Sequence, residues 1–450
     1  MSKKALISRD LFSGRNGFIL ACIGSAVGMG NIWLFPRRVA AYGAPFLVAY
    51  LVFVILIGFT GVVGEIAFGR AMKAGPMGAF EKACEKRGLK KTLGSILALL
   101  PSITSFAMAI GYSVVVGWVL KYLLGSIDGS VLVNTEVGDF GGLFGMTASG
   151  FNNIIPHLIV LAISFFILVF GISKGIEQSN KVFMPVFFLL FIGIAVYVST
   201  LSGAGAGYRY MFMMSDWGLL FSGEVWKYAL GQAFFSLSLA GSGTLVYGSY
   251  LNDDTDVPFS AMSIALFDTL AAFIAALAII PAVYAAGIDF NAEITSGPGL
   301  MFIYLPYVFK TMPLGSVVSI IFFLAVLFAG LSSLINLFEC PIEALQNKLH
   351  LSRKWSVSII LGLGTLVAIN ITDIVSQWMD VCSIYLCPIG ALFATVMFFW
   401  VCGGTFAESE INKGSKKALG KYLVPMGKVL FCGLTIAVLI LGVLTSGGIG

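Results

Sequence analysis

The chain has 450 residues, of which 58% are hydrophobic and only 11% charged, and its mean hydropathy is +0.96. Ordinary soluble domains carry roughly 25% charged residues, so the composition excludes a soluble globular protein and predicts an all-α polytopic membrane protein. The net charge of +5 reflects lysines beside apolar segments and does not indicate a nucleic-acid partner. Two histidines and seven cysteines without CxxC spacing argue against a metal centre or a disulfide framework.

Apolar segments of about 20 residues, the length that crosses a lipid bilayer, recur along the whole chain. We therefore predict a single transmembrane domain, residues 1–450, with eleven spans numbered in chain order. The spans are residues 14–37, 44–70, 92–125, 152–172, 180–202, 224–251, 257–286, 315–346, 355–372, 376–403 and 425–446.

Positive charges are unevenly distributed among the loops. Lysine and arginine concentrate in the N-terminal tail and in loops 70–91, 347–354 and 404–424. Cytoplasmic loops are enriched in these residues, which predicts a cytoplasmic N-terminus and, with an odd number of spans, an extracellular C-terminus in the cell membrane. Two features depart from this pattern, namely Arg37 and Arg38 on the outer side and an acidic inner loop around Asp253.

Span 1 is interrupted at its centre by the stretch 24–31, which reads GSAVGMGN. Three glycines and an asparagine weaken an α-helix and expose its backbone. Within a membrane, unwound backbone is tolerated only where protein buries it or where it lines a watery cavity. Span 6 has a similar stretch at 234–243, FFSLSLAGSG. Two interrupted helices at corresponding places in two halves of a chain indicate the substrate and ion site of a transporter.

Acidic residues within the apolar spans are a second functional signal. Asp268 lies in span 7, where a carboxylate is costly unless it is paired or solvated; the alternative role is a hydrogen bond between packed helices. We interpret Glu65 and Glu339 as structural partners of backbone amides in the broken spans. The sequence has no glycine loop followed by GK[ST], so it does not indicate ATP-driven transport.

Further motifs follow in chain order. They are GSAVGMGNIW and FP in span 1, GEIAFGR in span 2, GYSVVVGWVLKY in span 3, SKGIEQSNKVFMP in span 5, GQAFFSLSL and YGSY around span 6, DTLAAFIAALAIIPAV in span 7 and AGLSS in span 8. Together they resemble the neurotransmitter:sodium symporter family, in its bacterial amino-acid-transporting branch. The resemblance implies the LeuT-type fold, an inverted repeat with spans 1 and 6 unwound. Repeat one would cover about 14–202, repeat two about 224–403, and the extra span about 425–446.

The resemblance also implies two sodium sites made of oxygen ligands. Ligands of the first would be the Ala26 carbonyl and the side chains of Asn31, Ser236 and Asp268, completed by the substrate carboxylate. Ligands of the second would be Gly24, Val27, Ala329, Ser332 and Ser333, although AGLSS also fits a simple contact between helices. Asp268 replaces an asparagine common in the family, whose chloride-dependent members use a bound anion, so no chloride requirement is expected.

The implied substrate is an amino acid bound between the breaks. Its carboxylate would meet the amides of Met29 and Gly30 and the hydroxyl of Tyr112, and its ammonium group the carbonyls of Ala26, Phe235 and Ser238. The side-chain subsite would be lined by Met108, Phe235, Ser238, Gly241, Ser333 and Leu337. Because Gly241 replaces a bulky residue of the family, we expect a large hydrophobic or aromatic substrate.

The sequence departs from the family pattern at both gates. On the outer side Leu34 replaces the arginine that pairs with an acid at Asp380, and Arg37 or Arg38 could substitute for it. On the inner side Arg9 and Phe12 match gating positions, but the usual acid is Asn347.

Span 5 contains Gly175 and Pro185. This Gly-x9-Pro spacing, with nine residues between the two, fits either a segment that unwinds to admit water to the second sodium site or a simple helix start.

Two other functions stay open from the sequence. One is a proton-coupled carrier of the same fold, in which Asp268 or Glu65 titrates. The other is an amino acid sensor that does not complete transport, for which the altered gates are the support. Neither reading involves enzymatic catalysis, and nothing in the sequence indicates an oligomeric state.

Overall fold

The computed structural model describes residues 10–213, 216–239, 242–288 and 298–445, and no β-strand occurs in these ranges. A helix or a broken helix lies at every predicted span. In chain order they are Arg15–Ala26 with Gly30–Tyr42, Ala44–Met72, Lys91–Ile127, Ile154–Val169, Ile172–Ser199, Gly223–Ser236 with Gly243–Gly248, Val257–Ala285, Gly315–Leu349, Arg353–Asn370, Thr372–Val401 and Gly420–Leu444. Shorter helices connect them at Pro76–Lys86, Val137–Ala148, Ala204–Phe212, Trp217–Phe221, Leu300–Thr311 and Gly404–Asn412.

Among the described residues, seven helices are long and apolar enough to cross a membrane, and the bent pair in span 1 makes an eighth. The number of eleven spans therefore stays a prediction. Large apolar side chains such as Ile55, Phe166 and Leu189 are exposed on the outside of the bundle. Such exposure suits contact with lipid. The helices satisfy their own backbone hydrogen bonds, so the surface that faces the bilayer can consist of apolar side chains.

Spans 1 and 6 are broken where the sequence predicts. Span 1 bends by 54° between its two helices, and Val27 at the break has an extended backbone. In span 6 the helix ends at Ser236, and Ser238 and Ser242 have left-handed φ angles of 52° and 54°. Residues other than glycine rarely adopt that conformation, so the break is maintained by its surroundings. One such contact is the Ser238 hydroxyl, which donates to the Ser25 carbonyl of span 1 at 2.7 Å.

The inner half of span 1 is enclosed by other helices, because Arg15–Ala26 packs against spans 5, 7 and 8 and against the second helix of span 6. Glycines permit this close packing: a methyl group at Gly17 would clash with Glu177, and one at Gly24 with Asn180. Span 5 begins with a π-helical turn, Ile172–Glu177, and continues as an α-helix through Pro185. The Gly175 to Pro185 segment is thus wound in this structure.

The acidic inner loop around Asp253 is neutralised by neighbouring lysines. Lys73 and Lys413 lie 2.7 and 2.8 Å from the two carboxylate oxygens of Asp253. These contacts lower the pKa of Asp253 to about 2. The loop therefore does not oppose the cytoplasmic placement predicted for this face.

Candidate substrate and sodium site

A small cavity lies between the two breaks, in spans 1 and 6. The structure places nine of the ten predicted substrate residues around it, and these are Ala26, Met29, Gly30, Met108, Tyr112, Phe235, Ser238, Ser333 and Leu337. The tenth, Gly241, lies outside the described residues. Additional lining residues, which sequence reasoning missed, are Ser25, Gly28, Gly243, Asn336 and Cys387.

Backbone amides of the span 1 break meet a hydroxyl and an aromatic ring at one end of the cavity. The Met29 amide donates to the Tyr112 hydroxyl at 3.1 Å. A methyl group at Gly28 would lie 2.6 Å from that oxygen, and one at Gly30 would lie 2.7 Å from the Phe235 ring. Glycine is therefore required for the backbone to approach Tyr112 and Phe235 this closely.

Three of the residues predicted for the first sodium site form one hydrogen-bonded cluster. Asn31 Nδ2 donates to Asp268 Oδ1 at 2.7 Å and to Ser236 Oγ at 3.1 Å, and Ser236 Oγ donates to Asp268 Oδ2 at 2.7 Å. Tyr50 donates to the same carboxylate at 3.5 Å. Asp268 and Asn31 are fully buried. The fourth predicted ligand, Ala26, is the last residue of the first helix of span 1.

The residues predicted for the second sodium site also lie together, where span 1 meets span 8. Ser333 Oγ donates to the carbonyls of Gly24 and Val27 at 3.2 and 3.1 Å. Ser332 Oγ donates to the Ala329 carbonyl at 2.9 Å. Both serines are buried. The AGLSS segment is thus a helix contact and a set of converging oxygens at once, so its two predicted roles are compatible.

Two buried residues that line the cavity each have a side-chain polar atom without a hydrogen-bond partner in the described chain. These are the Asn336 amide nitrogen and the Ser25 hydroxyl, both on buried residues of the described chain. Buried polar groups are usually paired, so such atoms indicate contact with a ligand or water. An asparagine in an apolar span is itself a sequence signal, and Asn336 directly precedes the predicted residue Leu337.

At the outer end, Leu34 is buried at the position where the resemblance implies an arginine. Arg38 stacks on Tyr228, with its guanidinium carbon 3.5 Å from the ring centroid. Asp380 acts electrostatically on Arg37, but within the described chain the two form no ion pair, and Arg37 Nε has no hydrogen-bond partner. Of the two arginines considered as substitutes, Arg37 is the one on which Asp380 acts electrostatically.

At the inner end, Phe12 packs edge-on against Phe18 and Tyr247, with centroid distances of 5.4 and 5.6 Å. Arg9 lies outside the described residues, and the side chain of Asn347 lies beside Gly78. The charged contact here is instead a bidentate pair, in which Arg353 donates to both oxygens of Glu339 at 2.9 and 2.7 Å.

Glu65 and Glu339, the two other acids singled out from the sequence, have different partners. Glu339 also accepts from the Tyr250 hydroxyl at 2.7 Å. Its partners are side chains, so the interpretation of Glu339 as a partner of backbone amides was wrong. Glu65 accepts a hydrogen bond from the Thr244 hydroxyl of span 6, so it contacts one of the two broken spans, and its role as a partner of backbone amides stays a prediction.

Comparison with known proteins agrees with this architecture. MhsT, crystallised in complex with L-phenylalanine, is 32% identical, and the match has a TM-score of 0.84 and covers 96% of this chain and 99% of that chain. The predicted LeuT-type fold is thereby confirmed.

Curated relatives are sodium-dependent transporters. An uncharacterized one from Methanocaldococcus jannaschii is 30% identical over 98% of this chain and 92% of its own length. The uncharacterized transporter YhdH of Bacillus subtilis is 33% identical over 78% of this chain and 76% of its own length. The model of the sodium:neurotransmitter symporter family matches residues 9–135 and 145–446. The protein therefore belongs to the sodium:neurotransmitter symporter family and is a sodium-dependent membrane transporter.

Proposed function

We propose that the protein carries an amino acid with a large hydrophobic or aromatic side chain into the cell, together with sodium, by alternating access. One observation carries the proposal. The interrupted segment 24–31 lines the cavity, contributes Asn31 to the Asp268 cluster and contributes the Gly24 and Val27 carbonyls to the Ser333 cluster. Substrate and ions then share a single piece of backbone, so binding of one orders the ligands of the other.

At the first sodium site the ion would bind beside the Asp268 carboxylate. In the present hydrogen-bonding pattern the Asn31 amide nitrogen lies against that carboxylate, and Asn31 Oδ1 accepts from the Gly28 amide at 2.9 Å. Sodium binding would turn the Asn31 oxygen toward the ion, because a cation requires acceptors. The Asp268 charge balances the ion, and this is the reason to propose that chloride is not required.

At the second site, Ser333 would exchange its hydrogen bonds to carbonyls for a bond to the ion. The Gly24, Val27 and Ala329 carbonyls already face the two serine hydroxyls. A sodium ion bound here would be held by these carbonyl and hydroxyl oxygens, and each serine would keep its hydroxyl proton and turn it away from the ion. The two clusters together support a stoichiometry of two sodium sites.

The amino acid head group would use the Met29 end of the cavity. The substrate carboxylate would accept from the Met29 amide and the Tyr112 hydroxyl, which are bonded to each other in this structure. Met108, Phe235 and Leu337 give the remainder of the wall an apolar character. MhsT, which shares the fold, binds phenylalanine, and this supports a substrate with a large apolar side chain.

The test is uptake of radiolabelled amino acids into proteoliposomes under an imposed sodium gradient. We expect uptake that requires an inward sodium gradient and is competed best by large hydrophobic or aromatic amino acids. Uptake driven by a pH gradient without sodium would establish a proton-coupled carrier instead. Sodium-dependent binding without any uptake would establish a sensor. Orientation is read in membrane vesicles of known sidedness prepared from cells, since protease should reach the N-terminal tail only from the cytoplasmic side.

A further inference from the structure

Span 5 places an asparagine inside the bundle with half of its amide unpaired. Asn180 is fully buried, and its nitrogen donates to the Ile176 carbonyl one turn earlier at 2.8 Å. Its oxygen, Oδ1, has no hydrogen-bond partner in the described chain. The bond of the nitrogen to its own helix leaves the oxygen directed away from that helix, toward span 1.

The unpaired oxygen lies beside the second sodium cluster. A methyl group added at Gly24 would clash with Asn180 Oδ1 and would lie 3.0 Å from the Ser332 Cβ atom. Asn180 and Ser332 therefore flank the same face of Gly24. Gly24 and Ser332 are two of the five residues that we propose as ligands of the second sodium ion.

We infer that Asn180 is a further ligand of the second sodium ion, through its amide oxygen. A buried acceptor without a donor loses its hydration and gains nothing in return, whereas a sodium ion beside Gly24 would supply the missing positive partner. Amide and carbonyl oxygens are the ligands that hard cations prefer. Sodium would then be held by spans 1, 5 and 8 together. This inference rests on the proposed function, because it assigns one more residue to a site proposed there.

The alternative is a packing contact in which the asparagine merely fills the space beside Gly24, with a weak Cα–H···O interaction. Asn153 provides a matched control for that alternative. It is buried, its nitrogen donates to the Val114 carbonyl at 3.2 Å, and its Oδ1 is also unpaired. Asn153 lines a different cavity, beside His157, and touches none of the sodium residues.

The experiment measures sodium affinity without transport. Binding of ²²Na⁺ and the sodium concentration that gives half of the thermal stabilisation are recorded at constant ionic strength, with choline as the replacement cation. We expect Asn180→Ala to raise the sodium midpoint about tenfold, which corresponds to about 1.4 kcal/mol, and Asn153→Ala to leave it unchanged. Asn180→Asp, which keeps an oxygen at this position, should retain sodium binding.

A double-mutant cycle with Ser332→Ala separates a shared site from a general loss of stability. If both side chains bind one ion, the combined effect on the sodium midpoint is smaller than the sum of the two single effects. The assignment is overturned if Asn180→Ala keeps the wild-type midpoint or shifts it no more than Asn153→Ala does. A wild-type protein with no sodium response at all would refute the proposed function itself, and that outcome is distinct from a sodium-responsive protein unaffected at Asn180.

Discussion

The centre of the bundle, with the first sodium cluster, differs from its two ends, with the gates, in how its polar residues are arranged. At the centre, Asn31, Ser236 and Asp268 bond directly to one another in one buried cluster. At the ends, Leu34 is a buried apolar residue on the outer side and Arg353 pairs with Glu339 on the inner side, whereas the resemblance implies other gating pairs there. An ion site requires oxygens at defined distances, whereas a gate only has to close. Several arrangements of charge can close a gate, so the ends are freer to vary.

The largest expected loss of sodium binding results from a substitution at the centre of the bundle. Asp268→Ala should weaken sodium binding by roughly ten- to a hundredfold, because the carboxylate is the only full negative charge in the first sodium cluster. Sodium-dependent amino acid binding to the purified variant is the measurement. Asp128→Asn, at the exposed end of span 3, is the control and should bind as wild type does. Unchanged sodium dependence in Asp268→Ala would remove this residue from the site.

Gly241→Phe tests the side-chain subsite, and the prediction rests on sequence position because Gly241 lies outside the described residues. Burial of a large apolar side chain is worth roughly 1.5–3 kcal/mol. Filling the subsite should therefore lower the affinity for aromatic amino acids about tenfold or more and favour smaller ones. Competition by alanine, leucine, tyrosine and tryptophan is compared between wild type and variant. The prediction fails if alanine already competes best in wild type or if the ranking does not change.

Ser332→Ala and Ser333→Ala each remove one hydroxyl from the second cluster. Loss of one hydrogen-bonding oxygen is worth about 1 kcal/mol, so each should raise the sodium midpoint about fivefold while expression and folding persist. Ser164→Ala is the matched control, since Ser164 is equally buried in span 4 and bonds only to Val160 of its own helix. A double variant that keeps the wild-type sodium midpoint would place the second site elsewhere.

A substitution at the outer end should change the rate of uptake only weakly. Asp380 is exposed and forms no ion pair with Arg37 within the described residues, and exposed charge pairs are worth about 0–1 kcal/mol. Asp380→Asn should therefore change the rate of uptake by less than about fivefold. A complete loss of uptake would show that this end is as constrained as the centre and would break the comparison.

Removal of chloride should change the rate of uptake least of all. Replacing chloride by gluconate at constant sodium should leave wild-type uptake unchanged, because Asp268 balances the sodium charge within the protein. The rate of uptake in both buffers is the measurement. A several-fold loss in gluconate would mean that an external anion is needed and that Asp268 does not provide the balancing charge.

Much of the architecture follows from the sequence alone, for a local reason. Long apolar runs have to become helices in a membrane, since no other structure pairs the backbone groups within each segment. Glycine and serine clusters within such runs interrupt them, which is why the breaks at 24–31 and 234–243 were predicted. The residues around the cavity could be named because motif positions match those of a known family.

The contacts between distant segments depended on tertiary structure. Periodicity shows which face of a helix is polar, but not which helix lies opposite. Glu339 pairs with Arg353, and Asn180 approaches Gly24; nothing in the local sequence connects the residues of either pair. In the same way, local sequence does not show that the side-chain nitrogen of Asn336 is left without a hydrogen-bond partner in the described chain. By itself the sequence determined the helices, their interruptions and the family. Only the packing of those helices decided which buried polar atoms meet and which are left for a ligand, because hydrogen bonding depends on distance in space.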